Sequence, residues 1–253
     1  MASRTGHFTY PPSLAKPVTP SHAAKTYETS WSRPDGRDIY QCRPAFFRTS
    51  AVNSASGSAY AEFGKTKVIV SVFGPRESKK AMLYSNKGRL NCDVSYTNFA
   101  TTSRGVLQGS DLQSYASMLH KALEGAIMFE TFPKTTVDVF ALVLESGGSD
   151  IPVMISCASL ALADAGIKMY DLVAGVSVSC IGKCHVIDPV LEEESCQDGC
   201  LVMTCMPSRY EITQLLVTGE WPTSQLNEAM ELCLDASSKL SEIMRVCLKE
   251  ATH

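Results

Sequence analysis

The chain has 253 residues, a formal net charge of −3 and 45% hydrophobic residues. That apolar fraction can bury a substantial core, while the weakly acidic total excludes a molecule that gathers nucleic acid by overall charge, so any such contact must come from a local patch. No apolar run approaches the ~20 residues of a membrane span.

Residues 1–30 are rich in Pro, Ser, Thr and Ala, with no acidic residue before Glu28. They are expected to form a disordered tail ahead of one domain over 31–253. They lack the apolar core of a secretory leader, although an organellar transit peptide has a similar composition. Arg33-Pro34-Asp35-Gly36-Arg37 predicts a turn: Pro34 fixes its own φ and Gly36 can take a positive one. Asp35 and Asp38 lie among Arg33, Arg37 and Arg43, so charge-assisted hydrogen bonds can lock that turn locally.

From Cys42 to Phe73 the pattern is strand-like. Phe47, Thr49 and Ala51 alternate with Phe46, Arg48, Ser50 and Val52. Thr66–Phe73 is a β-branched run suited to a buried strand, and Gly64-Lys65 marks a hairpin. Residues 76–104 then carry Arg76, Lys79, Lys80, Lys87, Arg89 and Arg104 against Glu77 and Asp93, six positive minus two negative, an excess of four. A run of this kind is ordinarily a solvated loop.

A helix is predicted over 111–130, capped by Ser110 or Asp111, with Leu112, Tyr115, Leu119, Leu123 and Ile127 on its apolar face and Pro133 as its stop. Thr136–Leu144 reads as a strand. Gly147-Gly148-Ser149-Asp150 then leads into a buried helix from about Pro152 to Ala165, closed by Gly166 at the C′ position. Residues 173–188, 200–206 and 211–218 read as further strands, and Pro222 opens a final amphipathic helix to about Lys249. This order describes an α+β sandwich of sheets and helices.

Ten cysteines raise the question of a metal. Cys180, Cys184, His185, Cys196 and Cys200 have residue types that zinc uses. Cys180 and Cys184, however, flank a hairpin-like Ile181-Gly182-Lys183, and most other cysteines sit in apolar runs as reduced, buried thiols do. No metal and no cofactor is expected.

The turn at 147–152 is the place for chemistry. Free N–H groups and the positive end of the dipole point out of a helix start, so an anion is favoured there. Ser149 can offer a hydroxyl. A carboxylate on Asp150 about 4–5 Å from a phosphate would cost on the order of several kcal/mol at an effective ε near 20. It can instead accept the free N–H groups itself, so that the chain fills its own anion site.

Three stretches resemble the RNase PH family in order and spacing: Arg33-Pro34-Asp35-Gly36-Arg37, then Gly57-Ser58-Ala59-Tyr60-Ala61-Glu62-Phe63-Gly64-Lys65-Thr66-Lys67-Val68, then Ser159-Leu160-Ala161-Leu162-Ala163-Asp164-Ala165-Gly166-Ile167. The resemblance spans roughly residues 31–250. It implies a ribosomal protein S5 domain 2-like fold and a family chemistry in which inorganic phosphate attacks the 3′ end of RNA and releases a nucleoside diphosphate. Active members carry a Gly-Gly-Thr-Arg type turn where this chain has Gly147-Gly148-Ser149-Asp150, and a metal-side aspartate where it has Asp198. They also carry paired basic residues before the first helix, where only Arg104 is positive here. The likeness extends to eukaryotic RNA exosome ring subunits, nearest the mRNA transport regulator three type, through Gly88-Arg89-Leu90-Asn91-Cys92-Asp93-Val94-Ser95-Tyr96-Thr97-Asn98-Phe99-Ala100.

That resemblance implies a non-catalytic ring subunit with Ser149, Asp150 and Asp198 at degenerate site positions and Lys87, Arg89 and Arg104 facing RNA. The implied partners are other RNase PH-type ring subunits, S1/KH cap subunits and single-stranded RNA in the channel, with no membrane. The implied location is the nucleus and nucleolus, and also the cytoplasm. The alternative is an active phosphate-dependent 3′-5′ exoribonuclease, which Asp198 favours and Asp150 opposes.

Overall fold

The computed structural model describes residues 8–9, 33–77, 87–101, 109–182 and 184–251. Among the described residues, ten strands form two sheets. The first holds β1 (Phe8–Thr9), β2 (Ala45–Thr49), β3 (Gly57–Phe63), β4 (Thr66–Glu77), β5 (Arg89–Tyr96) and β6 (Thr135–Glu145), in the order β1-β2-β3-β4-β6-β5. The second holds β7 (Ala174–Ile181), β8 (Cys184–Ile187), β9 (Gly199–Met206) and β10 (Glu211–Gly219), in the order β10-β9-β7-β8. The helices are α1 (Gly109–Glu124), α2 (Asp150–Asp164), the short α3 (Leu191–Glu194) and α4 (Thr223–Ala251), with a 3-10 turn at Phe129–Thr131. This is the expected α+β class.

β2, β3 and β4 pair antiparallel, and the alternation expected from the sequence holds over Phe46–Thr49, with Phe47 and Thr49 buried and Arg48 exposed; the strand ends there, and Ala51, expected on the buried face, is exposed. Phe8–Thr9, within the stretch expected to be a tail, pairs with Phe46 and Phe47. β5 was not expected as a strand. It lies parallel to β6, with α1 as the crossover that parallel neighbours require. Leu90, Cys92, Val94 and Tyr96 alternate along it and turn toward the core.

α1 is shorter than predicted. It ends at Glu124, and Ile127 belongs instead to a β-bridge with Met169. α2 is apolar on nearly every side and lies between the layers, packed on β3, β4 and β7. Gly57 allows that approach: a Cβ there would stand 2.1 Å from the Ala165 nitrogen. Gly166 follows at φ +73 and closes the helix as predicted. At the other end of this contact, Asp164 accepts the Ser58 N–H at 2.9 Å. α4 covers the second sheet, with Ala229, Cys233 and Ala236 buried on it.

All ten cysteines are free thiols. Burial pushes Cys42 up to about 12 and Cys200 up to about 11, which suppresses the reactive thiolate. Cys180 and His185 are register partners across the β7–β8 hairpin, and among the described residues no three His, Cys, Asp or Glu side chains converge as a metal cage.

Candidate anion-binding turn

The turn between β6 and α2 is built by residues distant in sequence. Thr66, the first residue of β4, donates its hydroxyl to the Gly148 carbonyl at 2.7 Å and accepts the Gly147 N–H at 3.2 Å. Arg43 donates to Thr66 Oγ1 at 3.0 Å and to the Gly148 carbonyl at 3.0 Å. From the opposite side the acidic segment crosses over the turn. Leu191 donates its N–H to the Gly147 carbonyl at 3.0 Å. A Cβ on Gly148 would stand 2.5 Å from the Leu191 nitrogen, and Gly148 has φ +98. Glycine is required here twice over, for the close approach and for the positive φ.

The arginines of the opening motif lock the local turn as expected, and they also reach beyond it. Arg37 turns back onto Asp35 at 2.5 Å and donates to the Gln41 carbonyl at 2.9 Å, and Arg33 donates to the carbonyls of Asp38 and Gln41, each at 3.2 Å. Arg33 is buried and makes two 2.8 Å bonds to the Glu193 carboxylate, and it also donates to the carbonyls of Ile187 and Asp188. Arg43 binds both oxygens of Asp188, at 2.6 and 2.9 Å. Burial alone would raise the Asp188 carboxyl, yet Arg43 and Arg37 hold it below the usual carboxylate range. These are buried, bidentate, charge-assisted pairs, and they fasten the acidic segment to the rest of the fold.

At the helix start the anion site is filled from within, but not by Asp150. Ser149 is the N-cap, in the left-handed region at φ 54, and Asp150 sits inside the first turn. The Ser149 N–H donates to Glu194 Oε1 at 2.7 Å. Its hydroxyl is buried, donates to the Pro189 carbonyl at 2.9 Å and accepts from Ser177 at 2.8 Å. The Asp150 carboxylate turns aside and accepts from Ser146 at 2.6 Å and from Tyr96 at 3.1 Å. Burial raises the Asp150 carboxyl despite those bonds and the nearby Arg43. The expected self-occupation is therefore present with a different occupant, a carboxylate from α3.

Asp198 is not gathered with Ser149 and Asp150. It is exposed, and its Oδ2 accepts the Gly182 N–H of the β7–β8 turn at 2.7 Å. Ser177, which touches Ser149, lies four residues before the end of β7, roughly 13 Å away at about 3.3 Å per residue. Asp198 does not stand with the turn as a metal-side partner would, and no step through a metal follows from its position.

Beside the turn runs a groove of about 790 Å³. Arg37, Arg43 and Lys65 line it, and so do Asp35, Glu145 and Glu192, so its charges balance three against three. Phe99 projects there at 76% exposure. Of the proposed RNA-facing residues, Lys87 and Arg89 are exposed at the entry to β5, whereas Arg104 lies outside the described residues. Arg76, from the same basic segment, is drawn into an ion pair with Asp138.

The chain matches the family models for the 3′ exoribonuclease family, domain 1 over residues 41–168 and domain 2 over residues 171–236. It is 74% identical over 227 residues to the exosome complex component RRP41-like of Arabidopsis thaliana, covering 90% of this chain and 88% of the relative. It is 34% identical over 251 residues to the exosome complex component MTR3 of Mus musculus, covering 92% and 90%. The mRNA transport regulator three type thus has its counterpart among the relatives, with the RRP41-like relative more similar. The fold matches the crystal structure of rice (Oryza sativa) Rrp46 with a TM-score of 0.78 and 24% identity, covering 86% of this chain and 100% of that one. With both family domains matched in succession and close homology to exosome complex components, this chain belongs to the RNase PH family of 3′ exoribonucleases.

Proposed function

We propose that this chain is a ring subunit of the RNA exosome that supports 3′-to-5′ RNA processing and degradation without itself catalysing phosphorolysis. The observation that carries this reading is the occupied helix start: the Ser149 N–H is held by Glu194, its hydroxyl is spent inside the protein, and Asp150 adds a second carboxylate. A phosphate brought there would meet the carboxyl groups of Glu194 and Asp150. Transition-state electrostatics supply several kcal/mol in such sites, so reversing the charge at one removes rate by orders of magnitude.

Ring assembly is supported by the homology to exosome complex components and by the shape of the second sheet. β10 is an edge strand, with Ile212, Leu215 and Val217 exposed along it. An apolar, unpaired edge of this kind is a liability unless another chain covers it. We assign that role to neighbouring RNase PH-type subunits, with S1/KH-type caps and single-stranded RNA as the further partners of the assembled ring.

The test is isolation of the tagged, full-length chain from its own cells at moderate salt. The expected result is a particle containing several RNase PH-type chains of similar size. A chain that elutes alone as a stable monomer would contradict the assignment.

A further inference from the structure

The turn joining β9 to β10 holds an aromatic side chain out in solvent. Tyr210 is 88% exposed and sits in the left-handed region at φ +55. That conformation strains a bulky residue, whereas glycine adopts it freely. The turn around it is nonetheless tied down. Ser208 donates its N–H to Asp171 Oδ2 at 2.9 Å, and Arg245 of α4 reaches Asp171 Oδ1 at 2.9 Å and also the Ser208 hydroxyl. Arg209 lies over the Tyr170 ring, 5.1 Å from its centroid, and donates twice to the Glu211 carboxylate at 3.0 and 3.2 Å. These contacts fix the backbone that carries Tyr210 while its ring faces water. A strained residue held in place by its surroundings and left exposed points to a use outside the fold.

We infer that Tyr210 is the anchor of a protein contact, its ring entering an apolar pocket on a neighbouring RNase PH-type ring subunit, with Tyr170 and Ile212 widening the contact. Continuity selects that partner. Tyr210 directly precedes β10, whose exposed Ile212, Leu215 and Val217 the ring reading already gives to a neighbour. Charge argues against a nucleic acid at the same place. Arg209 and Arg245 are paired with Glu211 and Asp171, so neither is left for phosphates, and a stacking platform for single strands needs such cations. Order in the free chain favours a tight contact, because an anchor that is already positioned loses less freedom on binding. Tyrosine and arginine are also the residues that dominate interface energetics. The inference rests on the ring reading and names one residue within it.

The test co-expresses the tagged, full-length chain with an RNase PH-type ring neighbour and compares the wild type with Tyr210→Gly and Tyr210→Phe. Melting of the purified chain reads stability, and retention of the neighbour on the tagged chain reads binding. Tyr210→Gly should leave Tm at or above the wild-type value, because glycine takes the positive φ without strain. Its retention of the neighbour should fall by at least about tenfold, the loss expected of an anchor residue. Tyr210→Phe should keep the neighbour, since the ring fills the pocket. Unaltered retention in Tyr210→Gly would overturn the anchor and leave the ring reading standing. A Tm several degrees lower in Tyr210→Gly would overturn it as well, by making the side chain part of the hairpin. Crosslinking of Tyr210 to RNA in the assembled ring would give the turn to nucleic acid instead. A wild-type chain that retains no neighbour would remove the ring reading, and the anchor with it.

Discussion

Arg33, Arg37 and Arg43 spend their charge inside the fold. Their partners, Glu193 and Asp188, lie roughly 150 positions away in the chain and are carried onto the anion turn by β7 and β8. Breaking such a buried pair by removing one partner strands the other charge. Arg43→Met should therefore destabilise the fold by about 3–5 kcal/mol, read from denaturant melts. The double variant Arg43→Met with Asp188→Leu should recover part of that loss, because no charge is then left unpaired. Asp188 also sets a pH signature. Its folded carboxyl is depressed, so its stabilisation is present above the ordinary carboxylate range and is lost as pH falls through the depressed value.

The three glutamates 192–194 show what the sequence could not reveal. As a run they read as one solvated acidic patch. In the structure Glu192 is exposed, Glu193 is buried against Arg33, and Glu194 caps the Ser149 N–H. Nothing in local composition separates them; only the path of the chain over Gly148 does. By contrast the turn itself was legible, because Gly147 and Gly148 mark a close approach and a positive φ, and a helix with free N–H groups had to follow.

Among elements, α2 was the most readable and β5 the least. α2 announces itself by length, apolar character and a terminal glycine. β5 was hidden by its basic flanks, although Leu90, Cys92, Val94 and Tyr96 alternate at the period of a half-buried strand. Leu215 and Val217 are 43% and 38% exposed, so replacing both by Lys should change the stability of the chain by little, within about 1 kcal/mol for two surface sites. Co-purification with a co-expressed RNase PH-type ring neighbour should fall by at least about tenfold, the cost of about 1.4 kcal/mol of interface. Unaltered co-purification would remove β10 from the ring contact.

For the whole molecule, a net charge of −3 leaves RNA contact to a local patch. Lys87 and Arg89 stand exposed where β5 begins, and Arg104 follows it in sequence. Replacing all three by Glu in an assembled ring should preserve assembly and lower RNA crosslinking to this subunit. The loss should be clearest at low salt, because phosphate contacts are screened as salt rises. Failure of the ring to assemble would assign those charges to an interface instead.

A helix start filled by a carboxylate should not support phosphorolysis. The most direct measurement incubates the chain, alone and within its assembled ring, with a 3′-labelled single-stranded RNA, Mg²⁺ and inorganic phosphate, and follows nucleoside diphosphate. No phosphate-dependent release attributable to this subunit is expected, and Asp150→Arg alone should not create any, because Glu194 still holds the Ser149 N–H. Nucleoside diphosphate release by this subunit that rises with phosphate would contradict it.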